Sequence, residues 1–104
     1  MGVRKTVRGS RSGRPIMRLL DVLGRRWSLR ILWELRDDRL TFRALRDRCD
    51  DVSPTSLNQR LKELRELQLV DHDEDGHGHT SWGRELAEHL VELSVWSEKW
   101  NRSL

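Results

Sequence analysis

The tightest constraint in this chain lies between residues 53 and 67, S-P-T-S-L-N-Q-R-L-K-E-L-R-E-L. A serine hydroxyl can accept from the orphan N–H groups of a first helical turn, and proline at the next position lacks only an N–H that the turn cannot use. Leu57, Leu61 and Leu64 then recur at i, i+4 and i+7, and Leu67 follows one turn later. This spacing predicts a helix over 53–67 with a single apolar face. At about 100° per residue, Thr55, Asn58, Gln59 and Lys62 point away from that face, with Ser56 and Arg60 on its flanks. Such a helix needs other elements to cover its leucines.

Those elements are legible on both sides. Residues 1–13 are rich in Gly, Ser and Arg with almost no apolar content, the composition of a disordered arm. Pro15 can open a first helix whose stripe is Ile16, Leu19, Leu20 and Leu23, with Gly24 as its C-cap. Ser28 is the expected N-cap of a second helix running to about Arg36, with Leu29, Ile31, Leu32, Trp33 and Leu35 giving it a broad apolar face. Thr41 can cap a short third helix carrying Phe42 and Leu45, and residues 50–53 form a turn. Beyond the 53–67 helix, Leu69-Val70 begins a strand, Asp75-Gly76 is a turn signal, and the chain returns through His77 to His79. Thr80 can cap a last helix over 80–102, striped by Leu86, Leu90, Val91, Leu93, Trp96 and Trp100. The expected fold is mainly α with one small β-hairpin.

The chain has 104 residues, of which 36% are apolar and 36% charged. One domain of modest core is expected, spanning 14–102. The net charge of +3 is unevenly spread. Residues 1–20 hold six basic groups and no acid, leaving 14 basic against 17 acidic groups in the remainder. A basic arm of this kind suits nucleic acid, and a solvated tail is the plainer alternative. No apolar run approaches the roughly 18 residues of a membrane span. The positive N-terminus is not followed by an apolar stretch, so secretion is not expected. The lone Cys49 permits no intrachain disulfide, in keeping with a reducing cytoplasm. There is no G-x-S-x-G, P-loop, H-E-x-x-H or paired-cysteine motif, so an enzyme is not expected.

The segments D-V-L-G-R-R-W-S-L-R-I-L-W-E-L (21–35), S-P-T-S-L-N-Q-R-L-K-E-L (53–64), L-V (69–70), T-S-W-G-R-E-L (80–86) and W-S-E-K-W (96–100) occur in order and at matching intervals. In these the chain resembles the HxlR family, a branch of the MarR-like winged helix-turn-helix regulators. The resemblance covers about residues 14–102. It implies a homodimer on a pseudo-palindromic operator in double-stranded DNA, acting as a transcriptional repressor or activator from the cytoplasm, on the nucleoid. It implies that 53–67 is the recognition helix, 70–79 the wing and 80–102 the dimerisation element. No cofactor is expected, and a small-molecule effector is compatible with the reading.

On that reading the outward residues of the recognition helix, Thr55, Ser56, Asn58, Gln59, Arg60 and Lys62, are the base-reading candidates. Amides can pair with adenine, Arg and Lys with guanine, and the threonine methyl can meet thymine. Arg26, Arg30, Arg43 and Arg46 are the phosphate candidates. Arg26 and Arg30 have an equal alternative as side chains lying along a core Trp27. Leu86, Leu90, Leu93, Trp96 and Trp100 are the dimerisation candidates, since such a stripe would invite aggregation if left open.

Two departures from the family pattern stand out. Members often carry a cysteine just before the proline that opens the first helix, and some sense oxidants or electrophiles with it. Arg14 stands there in this chain, and Cys49 lies elsewhere, as an expected bystander. The wing reads D-H-D-E-D-G-H-G-H, with four acids in 71–75 and no Arg or Lys before Arg84. Carboxylates repel phosphates, so an ordinary wing contact is not expected, and the basic arm could supply the missing neutralisation. Asp71, Asp73, Asp75 and Gly76 fill four positions of an EF-hand loop, but Trp82 stands where its bidentate Glu belongs. His72, His77 and His79 either bind a transition metal or titrate near neutral pH, or they belong to a solvated polar hairpin. The acidic wing also leaves a second reading, a winged-helix protein–protein interaction module with weak or lost DNA binding.

Overall fold

The structure, a computed structural model, describes residues 13–104. The arm expected at 1–13 lies, apart from Gly13, outside the described residues. Seven elements follow in order: α1 (Pro15–Leu23), α2 (Ser28–Glu34), α3 (Phe42–Arg48), α4 (Pro54–Glu66), β1 (Val70–Asp73), β2 (Gly76–His79) and α5 (Ser81–Arg102).

Three of the expected N-caps form. The hydroxyl of Thr41 accepts from the N–H of Ala44, Ser53 from Ser56, and Thr80 from Gly83, each at 3.1 Å. Gly24 caps α1 through its N–H to the carbonyl of Leu20 at 2.8 Å. Ser28 does not cap α2. Trp27 takes that position in the left-handed region at φ 79°, and Ser28 becomes the first helical residue, buried with its Oγ unpartnered. The Trp27 ring packs partly buried against the core, and its left-handed backbone costs about 1–2 kcal/mol. The second helix also stops at Glu34, short of the expected Arg36.

The core is built around α4. Leu57, Leu61 and Leu64 are fully buried and meet Ile31 and Leu32 of α2, Leu45 of α3, and Leu69 and Val70 at the start of the hairpin. Burying each leucine contributes about 1.5–3 kcal/mol. Between α3 and α4 the chain reverses through Asp50 and Asp51, both left-handed at φ 52° and 57°. Aspartate tolerates that region better than most residues. The turn is tied by the Nε of Arg46, which donates to the Val52 carbonyl at 2.8 Å.

The hairpin pairs Val70 with His79, Asp71 with Gly78, His72 with His77 and Asp73 with Gly76. Leu40 adds an antiparallel bridge to His77, with reciprocal bonds of 2.9 and 2.8 Å. Gly76 sits at φ 114°, and a Cβ there would lie 2.3 Å from the Leu40 carbonyl oxygen, so only glycine allows this approach.

The long α5 divides in two. Leu86, Ala87 and Leu90 pack on the core, while Leu93, Val95, Trp96 and Trp100 of the distal half stand exposed. Ile16 and Leu20 of α1 are exposed as well. Among the described residues, no helix is long and apolar enough to cross a membrane.

Candidate nucleic-acid interface

The burial of the three leucines fixes what α4 offers outward. Thr55, Asn58, Gln59 and Lys62 are exposed on one continuous face, and Ser56 is half-buried on its edge. On α3, which precedes α4 across the tight turn, Arg43 is exposed. Among the described residues, neither Arg43 nor Lys62 takes part in an ion pair, which leaves both side chains to an external anion. Arg26 is exposed with its guanidinium 5.4 Å from the centre of the Trp27 ring.

Three other arginines are engaged within the fold. Arg60 is one of the base-reading candidates, and the structure engages two of its three guanidinium nitrogens. Its Nε donates to the carbonyl of Arg26 at 3.0 Å, and its Nη1 meets Glu63. Arg30 binds Glu34 at 2.9 Å, Asp50 at 3.1 Å and the carbonyl of Arg48 at 2.7 Å, tying α2 to the turn before α4. Arg46 is committed to Val52, as above. These side chains tie the helix-turn-helix together, and the outward surface is left to Thr55, Asn58, Gln59 and Lys62, with Arg43 on α3.

Glu63 is the hub of this arrangement and was not foreseen as a site residue. It receives Arg25 at 2.8 Å, Gln59 at 3.0 Å and Arg60, while Arg25 also binds Asp21 at 3.0 Å. Burial pushes the Glu63 carboxyl up, but the hydrogen bonds from Gln59 and Arg60 and the charges of Arg60 and Arg25 outweigh it, so the carboxyl lies below its ordinary range. The spacing of Gln59, Arg60 and Glu63 on one helix was readable. The partner from α1's far end was not.

The acidic wing is partly neutralised from a distance. Arg39, in the loop between α2 and α3, binds Asp71, Asp73 at 3.0 Å and the carbonyl of Gly76 at 3.0 Å. Gly78 leaves the lane for it, since a Cβ there would lie 2.5 Å from the Arg39 guanidinium. Glu74 and Asp75 at the tip stay exposed, with no salt bridge to any of the described residues.

The three wing histidines do not converge on a metal site. The His72 and His77 rings face each other at 4.4 Å, as the hairpin register requires. The Nε2 of His79 is engaged elsewhere, 2.9 Å from the Leu32 carbonyl oxygen. Among the described residues, no group of three His, Cys, Asp or Glu side chains is placed to hold a metal ion. His77 and His79 are not a solvated surface either, because both are buried, while His72 is exposed. Burial, with the charges of His72, Arg65 and Arg39, lowers His77 to about 4. Cys49 is fully buried, and burial pushes its thiol up to about 11 against the opposing charge of Arg30.

A capped helix standing on α3 across a tight turn, with a polar outer face and a hairpin behind it, is the geometry of a winged helix-turn-helix, a class of DNA-binding protein. Residues 22–103 match the HxlR-like helix-turn-helix family, and the chain belongs to it as a DNA-binding transcriptional regulator. It is similar to an uncharacterized HTH-type transcriptional regulator of Methanocaldococcus jannaschii, with 26% identity over 91 residues, 84% of this chain and 86% of that protein. Among solved structures it is similar to quinone-bound YodB from B. subtilis, with a TM-score of 0.75 and 25% identity, covering 81% of this chain and 96% of the other.

Proposed function

We propose that the chain acts as a homodimer on a pseudo-palindromic operator, each protomer placing α4 in the major groove. The observation that carries this is the exposed face of Thr55, Asn58, Gln59 and Lys62 set on three fully buried leucines. Side chains of this kind suit base edges, whereas a protein-binding surface is more often aromatic. Ser56 contacts DNA from the flank, and Arg26 and Arg43 take phosphates. Arg30, Arg46 and Arg60 keep bonds within the fold, and any phosphate or base contact they make uses the N–H groups those bonds leave free.

The distal half of α5 supplies the dimer interface, with the stacked rings of Trp96 and Trp100 at 5.9 Å as its aromatic anchor. Leu86 and Leu90 support it from the core side. Within the 14–102 domain the wing adds little attraction, and the arm 1–13 adds phosphate contacts. The protein works in the cytoplasm, on the nucleoid. A small-molecule effector fits this reading, since one structural neighbour was crystallised with a quinone.

The exposed acids Glu74 and Asp75 favour a second reading, a winged-helix interaction module with weak or lost DNA binding. One experiment separates the two: a mobility shift with the DNA flanking the protein's own gene, at two salt concentrations. A salt-sensitive, sequence-dependent shift supports the operator reading. No shift at low salt rejects it and favours the interaction module.

A further inference from the structure

The acids of the wing lie on one face of the hairpin or at its tip. Asp71 and Asp73 pair with Gly78 and Gly76, while His72 pairs with His77. Successive side chains of a strand alternate between its faces, so Asp71 and Asp73 share one face, and Val70 and His72 share the other. Arg39 holds both carboxylates on the first face. Val70 is buried with Leu64 of α4 in the core, so α4 packs on the second. The chain fixes this arrangement as it leaves α4. Gln68 turns left-handed at φ 59°, its N–H donates to the Arg65 carbonyl at 2.9 Å, and the Leu69 N–H donates to the Leu64 carbonyl at 3.0 Å. That pair of bonds is a Schellman closure, and it sets the direction in which β1 departs.

Arg65 stands in that last turn of α4. With Asn58 and Lys62 it forms the series i, i+4, i+7, so it continues the exposed face of the helix towards the wing. It is exposed, and among the described residues it joins no ion pair. Its charge is felt at His77, on the face of the hairpin that meets α4. Asp71 and Asp73 follow Arg65 closely in sequence, yet they bind Arg39, 32 and 34 residues away. Glu66, next along the helix, is turned about 100° from Arg65. Beyond the core, the side chain that the hairpin carries on Arg65's side is His72, which is exposed and never anionic. An arginine clear of carboxylates suits a phosphate, which its planar fork can grip through two N–H groups. We infer that Arg65 binds a DNA phosphate where the recognition helix meets the wing, and that the register of the hairpin keeps the wing's carboxylates off it. This rests on the reading that a dimer places α4 in the major groove, and adds a sequence-independent anchor at the end of that helix.

The test is binding of the full chain to a duplex selected from a randomised library and to an unrelated duplex of equal length, over roughly a fourfold range of salt. Each phosphate contact contributes about 0.9 to the slope of log affinity against log salt. Arg65→Ala removes one contact from each protomer. Its affinity for both duplexes is expected to be lower at low salt, and to fall about tenfold less than that of wild type across the range. Arg65→Lys keeps the charge and most of the slope. His72→Asp sets a carboxylate on Arg65's own face and lowers the slope by a similar amount. A second measurement locates the phosphate. Replacing single phosphates of the selected duplex with neutral methylphosphonate weakens wild type at one position per half-site to which Arg65→Ala is indifferent. An Arg65→Ala slope equal to wild type, or no such position, overturns the assignment and leaves the major-groove reading standing. A loss confined to the selected duplex makes Arg65 a base reader and overturns it too. A wild-type slope in His72→Asp overturns the role given to the hairpin register. Failure of wild type to bind any duplex overturns the major-groove reading itself.

Discussion

The Nε2 of His79 lies 2.9 Å from the carbonyl oxygen of Leu32, and this bond joins the second strand of the wing to the end of α2. The ring is buried, so the bond replaces water on both partners. Burial lowers the affinity of His79 for a proton, the Leu32 carbonyl partly opposes this, and Arg84 adds to it. Its neighbour two residues back, His77, is lowered further, to about 4.

Acid should therefore loosen the wing. A histidine whose folded value lies below the ordinary 6.5 binds its proton more readily when unfolded. Its contribution is complete above pH 6.5 and is lost as the pH falls from 6.5 towards 4. For His77 the loss amounts to about 2–3 kcal/mol by pH 4. Thermal melts between pH 7.5 and 4.5 should show a falling Tm, with a shallower fall in His77→Phe. A Tm independent of pH across this window would refute the prediction.

Arg39→Met should destabilise the protein by about 1 kcal/mol, the scale of a partly exposed charged network. It should weaken DNA binding more than it weakens folding, because Asp71 and Asp73 lose the cation that offsets them. Titration of operator DNA at two salt concentrations checks this, with the greater loss expected at low salt. Equal losses at both concentrations would point to a purely structural role.

Cys49 should be inert in the native protein. A thiol at about 11 is almost wholly protonated at neutral pH, and the side chain has no exposed surface. Iodoacetamide at pH 7.5 should leave it unmodified for hours and label it readily after denaturation. Native labelling at the denatured rate would contradict the burial.

If the distal half of α5 forms the proposed dimer interface, placing a charge on it should separate the protomers. Leu93, Trp96 and Trp100 are each about half exposed. Trp96→Glu or Leu93→Glu should shift sedimentation from dimer to monomer at micromolar concentration, while far-ultraviolet dichroism stays helical. A wild-type protein that sediments as a monomer would remove the interface altogether.

Much of this molecule was written in local sequence. The Ser53-Pro54 start and the leucine spacing fixed α4, Thr41 and Thr80 fixed two more helix starts, and Asp75-Gly76 fixed the hairpin, because caps, periodicity and turns act within a few residues. The same spacing determined that Thr55, Asn58, Gln59 and Lys62 face outward. What the tertiary structure decided is the fate of the long charged side chains. Arg60 and Arg30 looked as available as Arg43, yet their partners are Glu63, the Arg26 carbonyl, Asp50 and the Arg48 carbonyl. Arg39 reaches Asp71 across 32 residues of chain. His77 and His79 read as polar hairpin residues until Leu40 and α2 closed over them. A flexible side chain and a distant carboxylate meet only where packing brings their backbones together, and no local pattern records that meeting.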